Sequence, residues 1–240
     1  MLEERKDVKG EILVRHTLIW NNKTAEDMGL KIISLPPIQL STERIDEKEI
    51  EGRDGTLTFI NGYTSDEKIV ECDYKGNKPW KIANWLQGSG KVIFGNMDDR
   101  YYKARINNVV PINQVLENYL YNFQIKFKCK PFGYLLEGNY PIEIIKSGTT
   151  IYNGKATYKS LPLITVYGTG TGVLKVNNTS YSITNIGTSI TLDSELEEVI
   201  DDKGQYFESD DFPILEVGEN NISWSGGITK IEIVPRWRCK

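Results

Sequence analysis

From Leu120 to Cys129 the chain alternates with period two. Leu120, Asn122, Gln124, Lys126 and Lys128 interleave with Tyr121, Phe123, Ile125, Phe127 and Cys129. Successive side chains of a strand point to opposite faces. This run therefore sets an aromatic and aliphatic face against a polar one, the pattern of a sheet covering a core on one side. The spacing predicts one long strand over residues 116–130.

Most of the chain reads the same way. Segments 11–15 and 16–20 read as extended, Asn21-Asn22-Lys23-Thr24 as a turn, and Met28 to Ile33 as a resumed strand. Pro36-Pro37 interrupts ladder pairing. Gly52-Arg53-Asp54-Gly55 is a turn, and Thr56 to Ile60 alternates after it. Lys91 to Phe94 and Tyr101 to Ile106 are strand-like. One helix stands out. Pro79 suits a first helical position, and Ile82, Trp85 and Leu86 form an apolar stripe that packs on a sheet. Gly88 and Gly90 are expected to stop it.

The helix signal then disappears. Short strands separated by turns recur at 142–145, 149–154, 162–167, 173–176, 179–183, 189–193, 213–215, 221–224 and 228–234. This spacing predicts an antiparallel sandwich. The domains are expected at 1–136 and 137–240. Gly168-Thr169-Gly170-Thr171-Gly172 lacks the following helix that a phosphate loop needs, so it reads as a hairpin.

Charge excludes some function classes. The net charge of -4 leaves no basic footprint for nucleic acid. The first 136 residues carry 20 basic and 19 acidic groups. Between Asp193 and Glu219 there are 11 acids against Lys203 alone, read as a solvated loop and strand edge. Cys72, Cys129 and Cys239 form no CxxC pair, which gives no zinc or redox motif. His16 is the one histidine, and no Gly-x-Ser-x-Gly elbow accompanies it. The charged start and the absence of a long apolar run predict neither signal peptide nor membrane helix. The chain is expected to be no enzyme, to take no cofactor or metal, and to contact neither nucleic acid nor membrane. Tyr152, Tyr158, Tyr167, Tyr181, Tyr206, Trp224 and Trp237 are the rings a sugar-binding sandwich could expose.

The order of these parts resembles the distal tail protein (Dit) family of long-tailed, siphovirus-type bacteriophages. Leu18 to Asn22 with Gly29 to Ile32 is similar to the family's opening strand pair. Ile50-Glu51-Gly52-Arg53-Asp54-Gly55 resembles its Pro-Gly-Arg-Asp-Gly-like turn, with Glu51 where proline is common. Trp85-Leu86 through Phe94, Asp98-Asp99 and Tyr101 to Arg105 follow its helix, strand and aromatic turn. Ile190 to Glu195 and Phe212 to Ile222 resemble two later pieces, and residues 1–17 precede the matched part.

The resemblance implies a mostly β protein. Its first domain would be a split-barrel-like belt with one short helix, and its second a galectin-like antiparallel β-sandwich. Six copies would form a homo-hexameric ring at the virion tail tip, linking tail tube to baseplate as an assembly hub. The implied partners are the tail tube protein, a tail-associated hub or lysin protein, and receptor-binding proteins. Gly52, Arg53, Asp54 and Gly55 are the candidate ring-interface residues, and Ile82, Trp85 and Leu86 the helix-packing ones. The alternative is a cell-wall carbohydrate-binding adhesin.

Overall fold

A computed structural model describes residues 18–107, 110–117, 119–200, 206–209 and 211–240, with the backbone alone at Tyr206 and Glu208. The segments expected within residues 1–17, His16 included, lie outside the described residues. The chain divides into two compact units, Met1–Pro131 and Phe132–Lys240, a division five residues before the expected one.

The first unit runs β1 (Leu18–Trp20), β2 (Lys23–Thr24), β3 (Leu30–Ser34), β4 (Glu43–Glu49), β5 (Thr56–Tyr63), β6 (Asp66–Lys75), α1 (Pro79–Trp85), β7 (Gly88–Phe94), β8 (Met97–Ile106), β9 (Asn113–Leu116) and β10 (Leu120–Leu135). All but β4 and β5 join one sheet in the order β2-β1-β7-β8-β10-β6-β3, with β9 also on β10.

Strand β10 begins at Leu120, four residues later than residue 116. Leu116 ends β9, which turns back to pair with Leu120 and its neighbours. Tyr121, Phe123, Ile125, Phe127 and Cys129 are buried and the intervening residues are not. The aromatic packing is specific. The Phe127 ring lies 5.3 Å from Trp20 and 5.8 Å from Phe94, edge-on to the latter.

Helix α1 is too short to be stable alone. It is held where the apolar stripe predicts, with Ile82 and Leu86 buried and Trp85 half-buried. Two reciprocal bonds tie it to the sheet. Trp20 Nε1 donates to the Trp85 carbonyl at 3.1 Å, and Trp85 Nε1 donates to the Trp20 carbonyl at 3.2 Å. The expected stop at Gly88 and Gly90 is corrected. Leu86 caps the helix with its N–H on the Ile82 carbonyl, and both glycines belong to β7. Gly90 makes room for Asn21, since a Cβ there would overlap the Asn21 amide that accepts from the Lys91 N–H.

The second unit takes in the end of β10 and then a 3-10 turn (Leu136–Asn139). Its strands are β11 (Ile142–Ile144), β12 (Thr149–Asn153), β13 (Leu163–Val176), β14 (Thr179–Ile186), β15 (Ser189–Asp193), β16 (Glu198–Ile200), β17 (Tyr206–Glu208), β18 (Gly218–Val234) and β19 (Arg238–Cys239). The expected hairpin at Gly168–Gly172 is corrected, because β13 runs straight through it as one strand. The strands expected at 221–224 and 228–234 are likewise one strand, β18. Pro213 to Leu215 forms no strand, and Leu215 makes an isolated bridge to Ser160.

The two long strands pair with each other along their length but shift register near Gly168 and Gly172. There they divide their neighbours. Leu163–Tyr167 takes β15, whereas Gly172–Val176 takes β14. The early part of β18 takes β12 and its late part takes β11. Two layers result, β11-β18-β13-β15-β16 and β12-β18-β13-β14-β17, closed over one core containing Ile164, Leu174, Ile183, Leu192, Ile222 and Ile231. Glycine is required at the crossing. A Cβ on Gly168 would meet the Gly227 carbonyl, and one on Gly227 would meet the Thr169 carbonyl.

Asp193 departs from the solvated reading of the acidic stretch. It is buried, and Arg236 grips it in a fork, Nη1 to Oδ1 at 2.6 Å and Nη2 to Oδ2 at 2.9 Å. The N–H groups of Glu195 and Leu196 donate to Oδ1 as well. The Arg236 hydrogen bonds hold the carboxyl below the ordinary carboxylate range.

Two predictions follow from this unit. Gly227→Ala lowers its stability by at least about 2 kcal/mol, read as lost amide protection in hydrogen exchange of residues 163–234. Asp193 binds its proton more weakly folded than unfolded, so its contribution is complete above the unfolded value of 3.8 and fades as pH falls below it. Asp193→Asn costs about 3 kcal/mol near pH 7. It also flattens the acid limb of denaturant midpoints measured below pH 4.

Candidate functional site: an exposed hairpin beside a basic groove

Strands β4 and β5 form a two-stranded sheet of their own. Their register sets Lys48 opposite Leu57, Asp46 opposite Phe59 and Ile45 opposite Ile60. Every residue from 44 to 61 is exposed. Leu57 and Phe59 alternate like a buried strand, yet neither enters the core. Ile45 and Ile60 point into solvent together, 54% and 60% exposed. An isolated hairpin is marginal in water, and its apolar groups are normally covered by a third layer. Among the described residues nothing in this unit covers them.

The predicted interface residues sit at the tip. Gly52 and Gly55 take φ of +78° and +83°, a conformation that glycine adopts without penalty. Arg53 N–H closes the turn on the Ile50 carbonyl at 3.1 Å. Arg53 and Asp54 are exposed. The helix-packing residues Ile82, Trp85 and Leu86 are elsewhere, within the sheet's core.

Beside the root of the hairpin lies an open groove of about 630 Å3. Ser65, between β5 and β6, lines it together with Lys91, Lys103, Arg105, Lys128 and Lys130, and no acidic residue lines it. Lys91 and Lys103 are direct cross-strand partners in the β7–β8 register, an arrangement that costs stability in an isolated sheet. Lys91 Nζ lies 4.3 Å from the centre of the Tyr101 ring. Glu67 stands opposite Lys128 across β6–β10 and ion-pairs with Lys126 at 3.9 Å. These cations come from β7, β8 and β10, so no local stretch of sequence marks them. The only legible part is the lysine face of β10, which the alternation places on the polar side.

Burial pushes the Cys72 and Cys129 thiols up to about 12, so both are protonated at neutral pH. Cys239 is buried too. The described residues hold no cluster of three or more metal-binding side chains, and no described helix is long and apolar enough to cross a membrane. Of the sandwich rings whose side chains are described, Tyr181 and Trp237 are buried and Tyr158 stacks on Phe132 at 4.6 Å. Tyr167 and Trp224 are half-buried, which leaves Tyr152 exposed.

Among solved structures, the SPP1 Dit protein (gp 19.1) is similar over 90% of this chain and 97% of its own, with a TM-score of 0.70 at 11% identity. The chain has the fold of that protein. SPP1 Dit is described as a paradigm of the hub adsorption apparatus in phages that infect Gram-positive hosts. The activated phage P2 baseplate structure with Ca matches over 94% of this chain and 97% of that one, with a TM-score of 0.46 at 8% identity. No protein-family model and no curated protein matches the sequence. The Dit likeness fits the resemblance carried by the residues from Leu18 onward, and the mostly β fold with its one described helix fits the Dit architecture.

A hairpin that rests on no core can be altered without unfolding the unit. Ile45→Ser with Ile60→Ser leaves the unfolding free energy from guanidinium titration unchanged to within about 0.5 kcal/mol. A larger loss would mean that the hairpin is held by its own unit.

Proposed function

We propose that this chain is a structural component of a bacteriophage tail. Six copies form a ring that links the tail tube to the baseplate and serves as assembly hub. The Dit fold supports a baseplate role. The observation that carries the ring is the hairpin Glu43–Tyr63, whose Ile45, Leu57, Phe59 and Ile60 stay exposed among the described residues. A closed ring needs a patch on each copy that fits a different patch on the next, and a hairpin extending beyond its own unit supplies one of them.

On this reading the protein works through surfaces, as a non-enzymatic part of the virion tail. The first unit is the ring-forming belt and the second a galectin-like sandwich. One face of the ring meets the tail tube protein and the other a tail-associated hub or lysin protein, with receptor-binding proteins docking from outside. The adhesin reading has less support, since Tyr152 alone is exposed among the described rings offered for sugar stacking.

Light scattering of the purified chain, with negative-stain images of the same sample, tests the ring. The expected result is a mass of six subunits and six-fold particles with a central channel. A single-subunit mass at the highest soluble concentration, with no ring gained on adding tail tubes, would overturn it.

A further inference from the structure

The groove and the hairpin are complementary in charge, and both belong to the first unit. Residues 43–55 hold six acids, Glu43, Asp46, Glu47, Glu49, Glu51 and Asp54, against three bases. Two of those bases are turned to the hairpin itself. Arg44 donates to the Asn61 carbonyl at 2.6 Å, and Lys48 lies 5.8 Å from the centre of the Phe59 ring. The register places Glu47 with Thr58, and Glu49 with Thr56, on the face opposite Lys48. That face carries carboxylates and no cation. The groove is its converse, five cations and no acid.

A hairpin cannot reach the groove at its own root without folding double. Ser65 lines that groove and lies two residues past the end of the return strand. Seven strand residues at about 3.3 Å each carry the tip about 20 Å away. The exposure of every residue from 44 to 61 agrees that the seat is not taken by the chain's own hairpin.

Resting on the ring reading above, we propose that the groove receives the acidic hairpin face of a second copy. Glu47 and Glu49 meet the cluster of Lys91, Lys103, Arg105, Lys128 and Lys130. Ile45 and Ile60 share that face and are covered at the same time. The contact relieves one cost of the free chain, the exposed apolar pair. Because hairpin and groove are different patches, the contact is head to tail, and each copy has one of each to offer. Opposite charges fix the register and reject misdocked copies. A nucleic acid is the less favoured occupant, because the chain's net charge of -4 disfavours a polyanion.

The test uses two charge reversals in the full chain. One variant carries Glu47→Lys and Glu49→Lys; the other carries Lys128→Glu and Lys130→Glu. All four positions are exposed, so both variants keep the wild-type unfolding midpoint. Each alone is expected to self-associate more than about tenfold more weakly by light scattering, since like charges now meet. An equimolar mixture restores the wild-type mass, because the lysines placed on one hairpin meet the glutamates placed in the other's groove. If either variant assembles like wild type, the hairpin–groove seat is wrong while the ring reading stands. If wild type stays monomeric even after tail tubes are added, the ring reading fails and this contact with it. Binding of a DNA oligonucleotide by wild type, lost in the groove variant while assembly is unchanged, would assign the groove to a polyanion instead.

Discussion

Phe127 sits where four elements of the first unit meet. Its ring lies against Trp20 of β1 and Phe94 of β7, and Trp20 is locked to Trp85 of the helix by two N–H···O bonds. The indoles satisfy their own polar groups while burying their carbon surface, so the cluster stays dry without an orphaned donor. The helix has no side-chain cap, and seven residues are too few to hold it. Its place depends on that cluster. So does the polar surface of the sheet. With Phe127 and Cys129 turned inward, the pleat leaves Lys128 and Lys130 no choice but to face the groove.

The second unit meets a different constraint. A sandwich needs two layers, and here β13 and β18 belong to both. Sharing the strands means bending them at one place, and the carbonyls of the two backbones come too close there for any side chain. Bulges allow such a change of direction without abandoning the ladder. Asp193 and Arg236 then fix β15 to the segment that follows β18, with the charge of each matched inside the unit. The acidic stretch, read as a solvated loop and strand edge, is thus divided. One acid is internal, and Asp201, Asp202 and Asp210 lie outside the described residues.

What could be read in the sequence was whatever local period controls. The alternation at 121–129 and the stripe of Ile82 and Leu86 each place their residues in the core. The glycine run at 168–172 was misread because a hairpin and a bulge demand the same residue type. Only the pairing across to Gly226 and Gly227, more than fifty residues away, distinguishes them. The Asp193–Arg236 fork is equally non-local. The hairpin misleads in another way. Leu57 and Phe59 have the period of a half-buried strand, and period reports which residues share a face, not whether anything covers that face. The groove was invisible because its five cations come from three strands, and net charge says nothing about such a cluster.

Exposed hairpins are usually a hazard, since their edges invite indiscriminate pairing. Here the edges are dense with charge. Glu47, Lys48 and Glu49 follow one another on β4, and Glu51, Arg53 and Asp54 surround the tip. Charges of that density suppress pairing with unrelated strands and keep the free chain soluble. They do nothing to bury Ile45, Ile60, Leu57 and Phe59. A segment that needed only to stay in solution would carry polar residues at those positions. One that needed only to associate would carry fewer carboxylates. The combination makes sense for a surface that must wait exposed and then accept one partner, with apolar pairs supplying contact area and carboxylates choosing where it lands. A copy of the same chain meets that demand economically, because the groove that fits the hairpin's charge is made by the same sheet from which the hairpin extends.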